Sequence, residues 1–292
     1  MAWLGARRQP RNSVVFRHVR AHCCGLLTRG IRWLAIMVFA SLLVAFGSRG
    51  VGRRFLFPTQ SVRPVGAVPD FIEHRLVARD GVAVRALELL GGSSAAVVVH
   101  FHNNREVAEQ TAGVARELVA RGTGVVLVEY RGYGGAGTSS PTEEGLYADA
   151  EAALDMLASR GVGPERIVLW GTSLGTGVAA EMARRGRGGR LVLMTPYTSI
   201  PDLVADFAPF LPVGLLVADH FDTLSKAPSI RIPTIVVHGD ADEIVPFRMG
   251  ERLAMAIPGA HLLRVPGGHH GDLFQRAHAR LVDAIVDDPH PK

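Results

Sequence analysis

The stretch VLWGTSLGTG, Val168–Gly177, reads as a buried strand that runs into a turn and opens a helix. Its centre, Gly171-Thr172-Ser173-Leu174-Gly175, fits the pattern G-x-S-x-G. In that pattern a serine sits on a turn so tight that a side chain at either glycine would clash. The strain lifts the hydroxyl above the strand end, and the N-terminus of the following helix favours negative charge developing beside it. Alone, the pattern occurs by chance in glycine-rich chains. At a strand-to-helix junction it marks Ser173 as a candidate nucleophile and implies a sheet whose strands alternate with helices.

The flanking sequence carries the same alternation. AAVVVHF (95–101), GVVLVEY (124–130), RIVLWG (166–171), RLVLMT (190–195), TIVVHG (234–239) and HLLRV (261–265) are short, nearly continuous apolar runs. A parallel sheet covered on both faces requires such strands. Between them, residues 105–122, 142–161 and 173–186 show helical spacing, each closing at a glycine as a C-cap does. EHRLVAR and VAVRALELL, split by Asp80-Gly81, predict an entry hairpin. The result is an α/β fold with a mostly parallel central sheet, helices on both faces and right-handed crossovers. Residues 197–233, with prolines at 201, 209, 212 and 228, read either as ordinary connecting helices or as an excursion walling a binding site. The loop Tyr130–Gly145 is expected at the rim of the cleft, without a catalytic role.

Length and composition fit one large domain plus a tail: 292 residues, 48% of them hydrophobic. The formal charge of +5 is unevenly distributed. Residues 1–69 hold eleven arginines and no acidic residue, leaving 21 basic against 27 acidic residues in the rest, a net of −6. A phosphate-binding surface for nucleic acid is therefore not indicated for the folded part. The uncharged run WLAIMVFASLLVAF, Trp33–Phe46, follows seven arginines and precedes Arg49, Arg53 and Arg54. Its length is short of the roughly 20 apolar residues of a spanning helix, although flanking arginines snorkel. The charge excess predicts a cytoplasmic N-terminus and an extracytoplasmic main domain. The expected organisation is a basic cytoplasmic leader (1–30), a transmembrane anchor or signal segment (31–48), a linker (49–69) and the main domain (70–288). An uncleaved anchor is preferred to a signal peptide cut near AFG at 45–47 because of the long basic stretch before the run. Both cysteines, Cys23 and Cys24, lie in the leader, so the main domain has no thiol chemistry.

A serine hydroxyl needs a base to take its proton and a carboxylate to hold that base. In this arrangement the partners follow the serine in the order acid, then histidine, on loops at successive strand ends. VVHGDADEIVP offers Asp240, Asp242 and Glu243 after the next-to-last strand. Asp240 sits in the turn directly after Gly239, where aspartate often serves only the turn, so Asp242 is the better acid and Asp240 the second choice. The last strand leads into VPGGHHGDLF, where His269 and His270 compete for the base. Asp272 is expected to cap the final helix. Two N–H donors are needed for an oxyanion: that of Leu174, and one from the loop His102-Asn103-Asn104-Arg105, with Asn103 and Asn104 as candidates. His102, on the wrong loop for the acid, reads as a structural hydrogen-bonder.

Together HFHNN, EYRGYGGAGTSSPTEEGLYADAEAAL, GTSLG, FDTLSKAPSIRIPTIVVHGDADEIVP and GGHHGDLF resemble serine α/β-hydrolases of the depalmitoylase and membrane-anchored lysophospholipid lipase branch, over roughly residues 70–286. The resemblance implies an α/β-hydrolase fold, with Ser173, Asp242 and a histidine as triad acting on carboxylic esters or thioesters, lipids among them. Aligning the family's G-H-N-D turn puts His270 on the catalytic histidine, and His269 where the family carries a small residue. At the oxyanion loop the family shows H-G-N, and Asn103 replaces the glycine, which bears on the acyl pocket and on the donor.

Three alternative readings are weaker. A non-catalytic binding protein of the same fold would be expected to lose a triad member, and none is lost. A serine peptidase of this class would carry a gating domain, and none is visible. A metal site at His269 and His270 lacks a third ligand, Asp272 alone being insufficient. No cofactor and no metal are expected.

Overall fold

The computed structural model describes residues 52–286, apart from 60–61, 63–65, 93–95, 210–212 and 214–216. The leader at 1–30 and the apolar segment at 31–48, with the anchor expected there, lie outside the described residues. Among the described residues no helix is long and apolar enough to cross a membrane.

The expected strands form β1 (Ile72–Val77), β2 (Ala83–Leu89), β3 (Val97–Phe101), β4 (Gly124–Glu129), β5 (Ile167–Thr172), β6 (Arg190–Met194), β7 (Thr234–Gly239) and β8 (His261–Val265). They lie in one sheet in the order β1-β2-β4-β3-β5-β6-β7-β8. β1 pairs antiparallel with β2 across the turn at Asp80-Gly81, and β2 pairs antiparallel with β4. From β4 to β8 all pairings are parallel.

Both faces are covered, which explains the continuous apolar runs. In β5, Ile167 and Leu169 enter one core while Val168 and Trp170 enter the other. The first core is closed by α2 (Glu143–Ser159), α3 (Leu174–Arg184) and α6 (Phe247–Ala256), through residues such as Leu154, Val178 and Leu253. The second is closed by α1 (Ala112–Ala120) and α7 (Leu273–Val286), through Leu118, Leu281 and Ile285. Each such side chain contributes about 1.5–3 kcal/mol on burial. Helices α4 (Ile200–Phe207) and α5 (Thr223–Lys226) lie between β6 and β7.

Two sequence expectations need adjustment. The helical pattern starting at residue 105 becomes α-helix only at Ala112, after a 3-10 turn at Ala108–Thr111. Side chains compete for the backbone there: Gln110 Oε1 accepts from Val107 N–H at 2.9 Å, and Glu106 Oε1 accepts from the Thr111 hydroxyl at 2.8 Å. The stretch 49–69, read as a linker, contributes to the folded body. Residues 52–56 are helical, Phe57 lies in the first core, and Arg53 Nε donates to buried Asp219 at 2.6 Å. The loop from Tyr130 to Gly145, expected at the rim of the cleft, touches a residue that lines it: the Tyr133 hydroxyl donates to Asn104 C=O at 3.2 Å. Buried Arg131 pins it: its guanidinium donates to Asp149 at 2.9 and 2.8 Å and pairs with Asp80, while its N–H donates to Asp149 at 2.8 Å.

Breaking a buried ion pair leaves an uncompensated charge. Asp149→Ala is expected to cost about 3–5 kcal/mol of stability in urea unfolding. A cost under about 1 kcal/mol would mean that Arg131 is re-solvated without Asp149.

Candidate active site

The turn after β5 is strained as its sequence implies. Ser173 has φ 49° and ψ −114°, outside the regions that L-residues favour, at an expense of roughly 1–3 kcal/mol. The flanking glycines are steric necessities. A Cβ on Gly171 would overlap the Gly175 carbonyl oxygen, and one on Gly175 would overlap the Phe101 carbonyl oxygen at the end of β3. Helix α3 is thereby pressed against the strand ends, with Ser173 N–H donating to Met194 C=O at 2.9 Å.

Ser173, Asp242 and His270 are brought together. His270 Nε2 lies 3.1 Å from Ser173 Oγ, and His270 Nδ1 lies 2.8 Å from Asp242 Oδ2. A carboxylate only accepts, so Nδ1 carries the proton and Nε2 is free to accept from the serine hydroxyl. The Asp242 side chain is fully buried. Its Oδ1 accepts from Ile244 N–H at 2.9 Å and Val245 N–H at 2.8 Å. Burial alone would push the carboxyl pKa up. Hydrogen bonds from His238 and His270, the charge of His270 and the Val245 N–H outweigh it, and the carboxyl is held well below the usual carboxylate range.

His238 is a partner of the site that the sequence reading did not single out. It is buried at the end of β7, with Nε2 2.9 Å from Val245 C=O and 3.3 Å from Asp242 Oδ2. Its Nδ1 is buried without a hydrogen bond, against Gly250, where a Cβ would overlap it. The proton therefore sits on Nε2, which donates toward both oxygens. The signal available in sequence was a histidine inside an otherwise apolar strand.

The second-choice residues have other tasks. Asp240 accepts from Gly267 N–H at 2.6 Å and from Arg264 Nε at 2.8 Å, tying the acid loop to the histidine loop. His269 points outward, half exposed, with Nδ1 3.0 Å from Glu243. Asp272 departs from the expected side-chain cap: its carboxylate accepts from His269 N–H at 2.7 Å and pairs with Arg276. It braces the histidine loop, and it meets the helix through the Arg276 guanidinium and through its backbone carbonyl, which accepts from Arg276 N–H at 3.1 Å.

Leu174, Asn103 and Asn104 line a cavity of about 480 Å³ together with Ser173 and His270. The two asparagines differ. Asn103 N–H is directed at Glu106 Oε2 at 3.5 Å, and Asn103 Nδ2 donates to the same oxygen at 2.8 Å. Asn104 is held by its side chain on Leu56 C=O at 3.0 Å, while its carbonyl accepts from Tyr133 at 3.2 Å. Buried His102 sits beneath, its Nδ1 2.6 Å from Asn103 C=O and its Nε2 3.5 Å from Glu129. Tyr197, Ile200 and Leu203 wall the cavity, so the early part of segment 197–233 does border the site. Among the described residues no cluster of three metal-ligating side chains occurs.

A covered, mostly parallel sheet that raises a serine on a strained turn, with histidine and aspartate arriving from later strands, defines a class of α/β proteins built around a nucleophile. The family model described as serine aminopeptidase, S33, matches residues 92–222. An uncharacterized protein of Mycobacterium tuberculosis is 39% identical over 198 residues, spanning 67% of this chain and 69% of the relative. The alpha/beta hydrolase domain-containing protein aho-3 of Caenorhabditis elegans is 32% identical over 171 residues, 56% of this chain and 48% of the relative. In three dimensions, an esterase of Pyrococcus furiosus aligns with a TM-score of 0.65 at 19% identity, over 77% of this chain and 96% of that one. The chain belongs to the α/β-hydrolase superfamily.

Gly175→Ala is expected to cost about 3 kcal/mol or more in thermal unfolding, because the overlapped atoms are backbone and cannot swing aside. Gly271→Ala, whose Cβ would meet nothing within 4 Å, is the control and should cost less than about 1 kcal/mol.

Proposed function

We propose that the protein is a serine hydrolase that cleaves carboxylic esters or thioesters through an acyl-enzyme. The observation that carries this reading is the series Ser173 Oγ, His270 Nε2, His270 Nδ1, Asp242 Oδ2, with links of 3.1 and 2.8 Å at the strained turn. Ser173 Oγ attacks the acyl carbonyl carbon as His270 Nε2 takes its proton. The carbonyl oxygen becomes an oxyanion facing Leu174 and Asn104 N–H. Collapse breaks the bond to the leaving group, whose oxygen or sulfur receives the proton from His270. Water then gives a proton to His270 and its hydroxide equivalent to the acyl carbon, and Ser173 recovers its proton as the acid departs. Asp242, held ionised by its four hydrogen-bond contacts, keeps the imidazole oriented and stabilises its protonated form.

The esterase likeness and the apolar wall of the larger cavity, with Leu56, Ile200, Leu203 and Ile244, support an acyl substrate, and a lipid acyl chain is part of this proposal. The depalmitoylase and lysophospholipid lipase branch is part of the same proposal. A fluorophosphonate probe is expected to label the wild type and not Ser173→Ala. His270→Ala should lower ester turnover by about 10⁴-fold, whereas His269→Ala should change it less than about tenfold. No labelling of folded wild-type protein would overturn the reading, and the reverse histidine result would move the base to His269. An aminoacyl amide in the same substrate panel tests the peptidase alternative.

The membrane tether belongs to this proposal as well: residues 31–48 anchor the chain with a cytoplasmic N-terminus and the hydrolase domain outside. Its support is the arginine excess before the uncharged run. A reporter fused to the C-terminus should be active only outside the cytoplasm, and cytoplasmic activity would refute the topology.

A further inference from the structure

His270 borders two cavities. The larger is the one on Ser173 and Leu174. The second, of about 230 Å³, lies between the residue 103–114 segment and the start of α7, and includes His270 and Gly271 but neither Ser173 nor Leu174. Its lining is polar on one side, with Glu106, Gln110, Thr111 and Thr172, and closes on Trp170 and Phe274 on the other.

Position and chemistry assign the two. The oxyanion donors Leu174 and Asn104 belong to the larger cavity, whose apolar wall suits an acyl chain. The departing group must take its proton from His270 Nε2, so it lies on the histidine side, away from those donors. The second cavity shares Asn103, Thr172, His270 and Gly271 with the larger one and holds neither Leu174 nor Asn104, and its volume falls below the 300–1,000 Å³ of pockets for drug-sized ligands, too small for a long chain.

Its charge narrows the ligand. The Glu106 oxygens accept from two neutral donors, Asn103 Nδ2 at 2.8 Å and the Thr111 hydroxyl at 2.8 Å. Among the described residues no cationic side chain forms an ion pair with Glu106, and no lysine or arginine lines the cavity. Buried His100, which also borders it, has its pKa pushed well down by burial and by His102, and so adds no positive charge. A phosphate placed here would face the Glu106 carboxylate, with His270 the lining residue able to carry positive charge, and only while it holds the serine proton. Buried His102, whose pKa is raised against its burial by Glu129 and by the charge of Glu106, lies outside the lining.

We infer that this second cavity is the leaving-group subsite and that it takes a small hydroxylated alcohol carrying no negative charge. The inference rests on the serine-hydrolase reading above. In the acylation step the Ser173 Oγ–acyl bond forms and the acyl carbon–alcohol oxygen bond breaks. The proton from Ser173 passes through His270 Nε2 to that oxygen, and the neutral alcohol departs through the Glu106 side.

The test holds one acyl chain fixed, decanoyl, and varies the leaving group among glycerol, choline, glycerol 3-phosphate and ethanol. The kcat/KM for the glycerol and choline esters is expected to exceed that for the glycerol 3-phosphate ester by about tenfold or more. Glu106→Gln, which keeps an acceptor for Thr111 but removes the charge, should erase most of that discrimination. Val114→Trp, filling the cavity from α1, should depress the glycerol ester about tenfold more than the ethyl ester. Equal or better cleavage of the phosphate ester by the wild type overturns the inference. So does a Val114→Trp variant that depresses both esters alike. If Ser173 takes up the fluorophosphonate while these arms fail, the hydrolase reading stands and the subsite assignment falls. If Ser173 takes up no probe and no ester is cleaved, both fall.

Discussion

The contact between Gly175 and the end of β3 sets the geometry of everything above the sheet. Helix α3 reaches the Phe101 carbonyl with no room for a methyl group between them. Because the helix cannot back away, the chain before it must turn sharply, and Ser173 is forced to φ 49°. The strain at the serine is the result of a packing constraint two residues later, and the surrounding core over-determines it. The same closeness brings the loop that continues from Phe101 alongside the helix start, so the Ser173 hydroxyl and that loop share one rigid reference.

On the far side of the site, three aspartates divide the work of holding one imidazole. Asp242 takes the ring itself, Asp240 takes Gly267 N–H, and Asp272 takes His269 N–H. The histidine loop is thereby fixed at both ends by charge-assisted hydrogen bonds and needs no regular secondary structure of its own. His238 completes the cage around Asp242 from below. A carboxylate buried this deeply is tolerable only because each oxygen has two partners.

The sheet was legible in the sequence because parallel strands buried on both faces leave an unmistakable record of unbroken apolar runs. The elbow was legible because its glycines answer a steric demand, and Asp242 because the turn consumes Asp240. What escaped depends on contacts between residues far apart in the chain. Arg131 meets Asp80 and Asp149, 51 and 18 positions away, and so pins the base of its loop. Phe57 and Arg53 join the body through partners such as Asp219, which a stretch punctuated by glycine, arginine and proline does not advertise. Asp272 sat at the right place for a cap, but the nearer demand of His269 N–H claimed its side chain. His238 was hidden because a lone histidine in a strand has no periodic signature.

Leu56 bears on how separable the hydrolase body is. Its carbonyl receives the Asn104 amide, and its side chain borders the larger cavity, so a residue upstream of the first strand is a working part of the site. The body is therefore not a cassette that begins where its sheet begins. Any fusion, domain swap or shortened form that joins the sequence at residue 70 would inherit the serine, histidine and aspartate while leaving behind a wall of their chamber and a strut of the loop that carries Asn104. The natural seam for engineering lies upstream of the helical turn at 52–56.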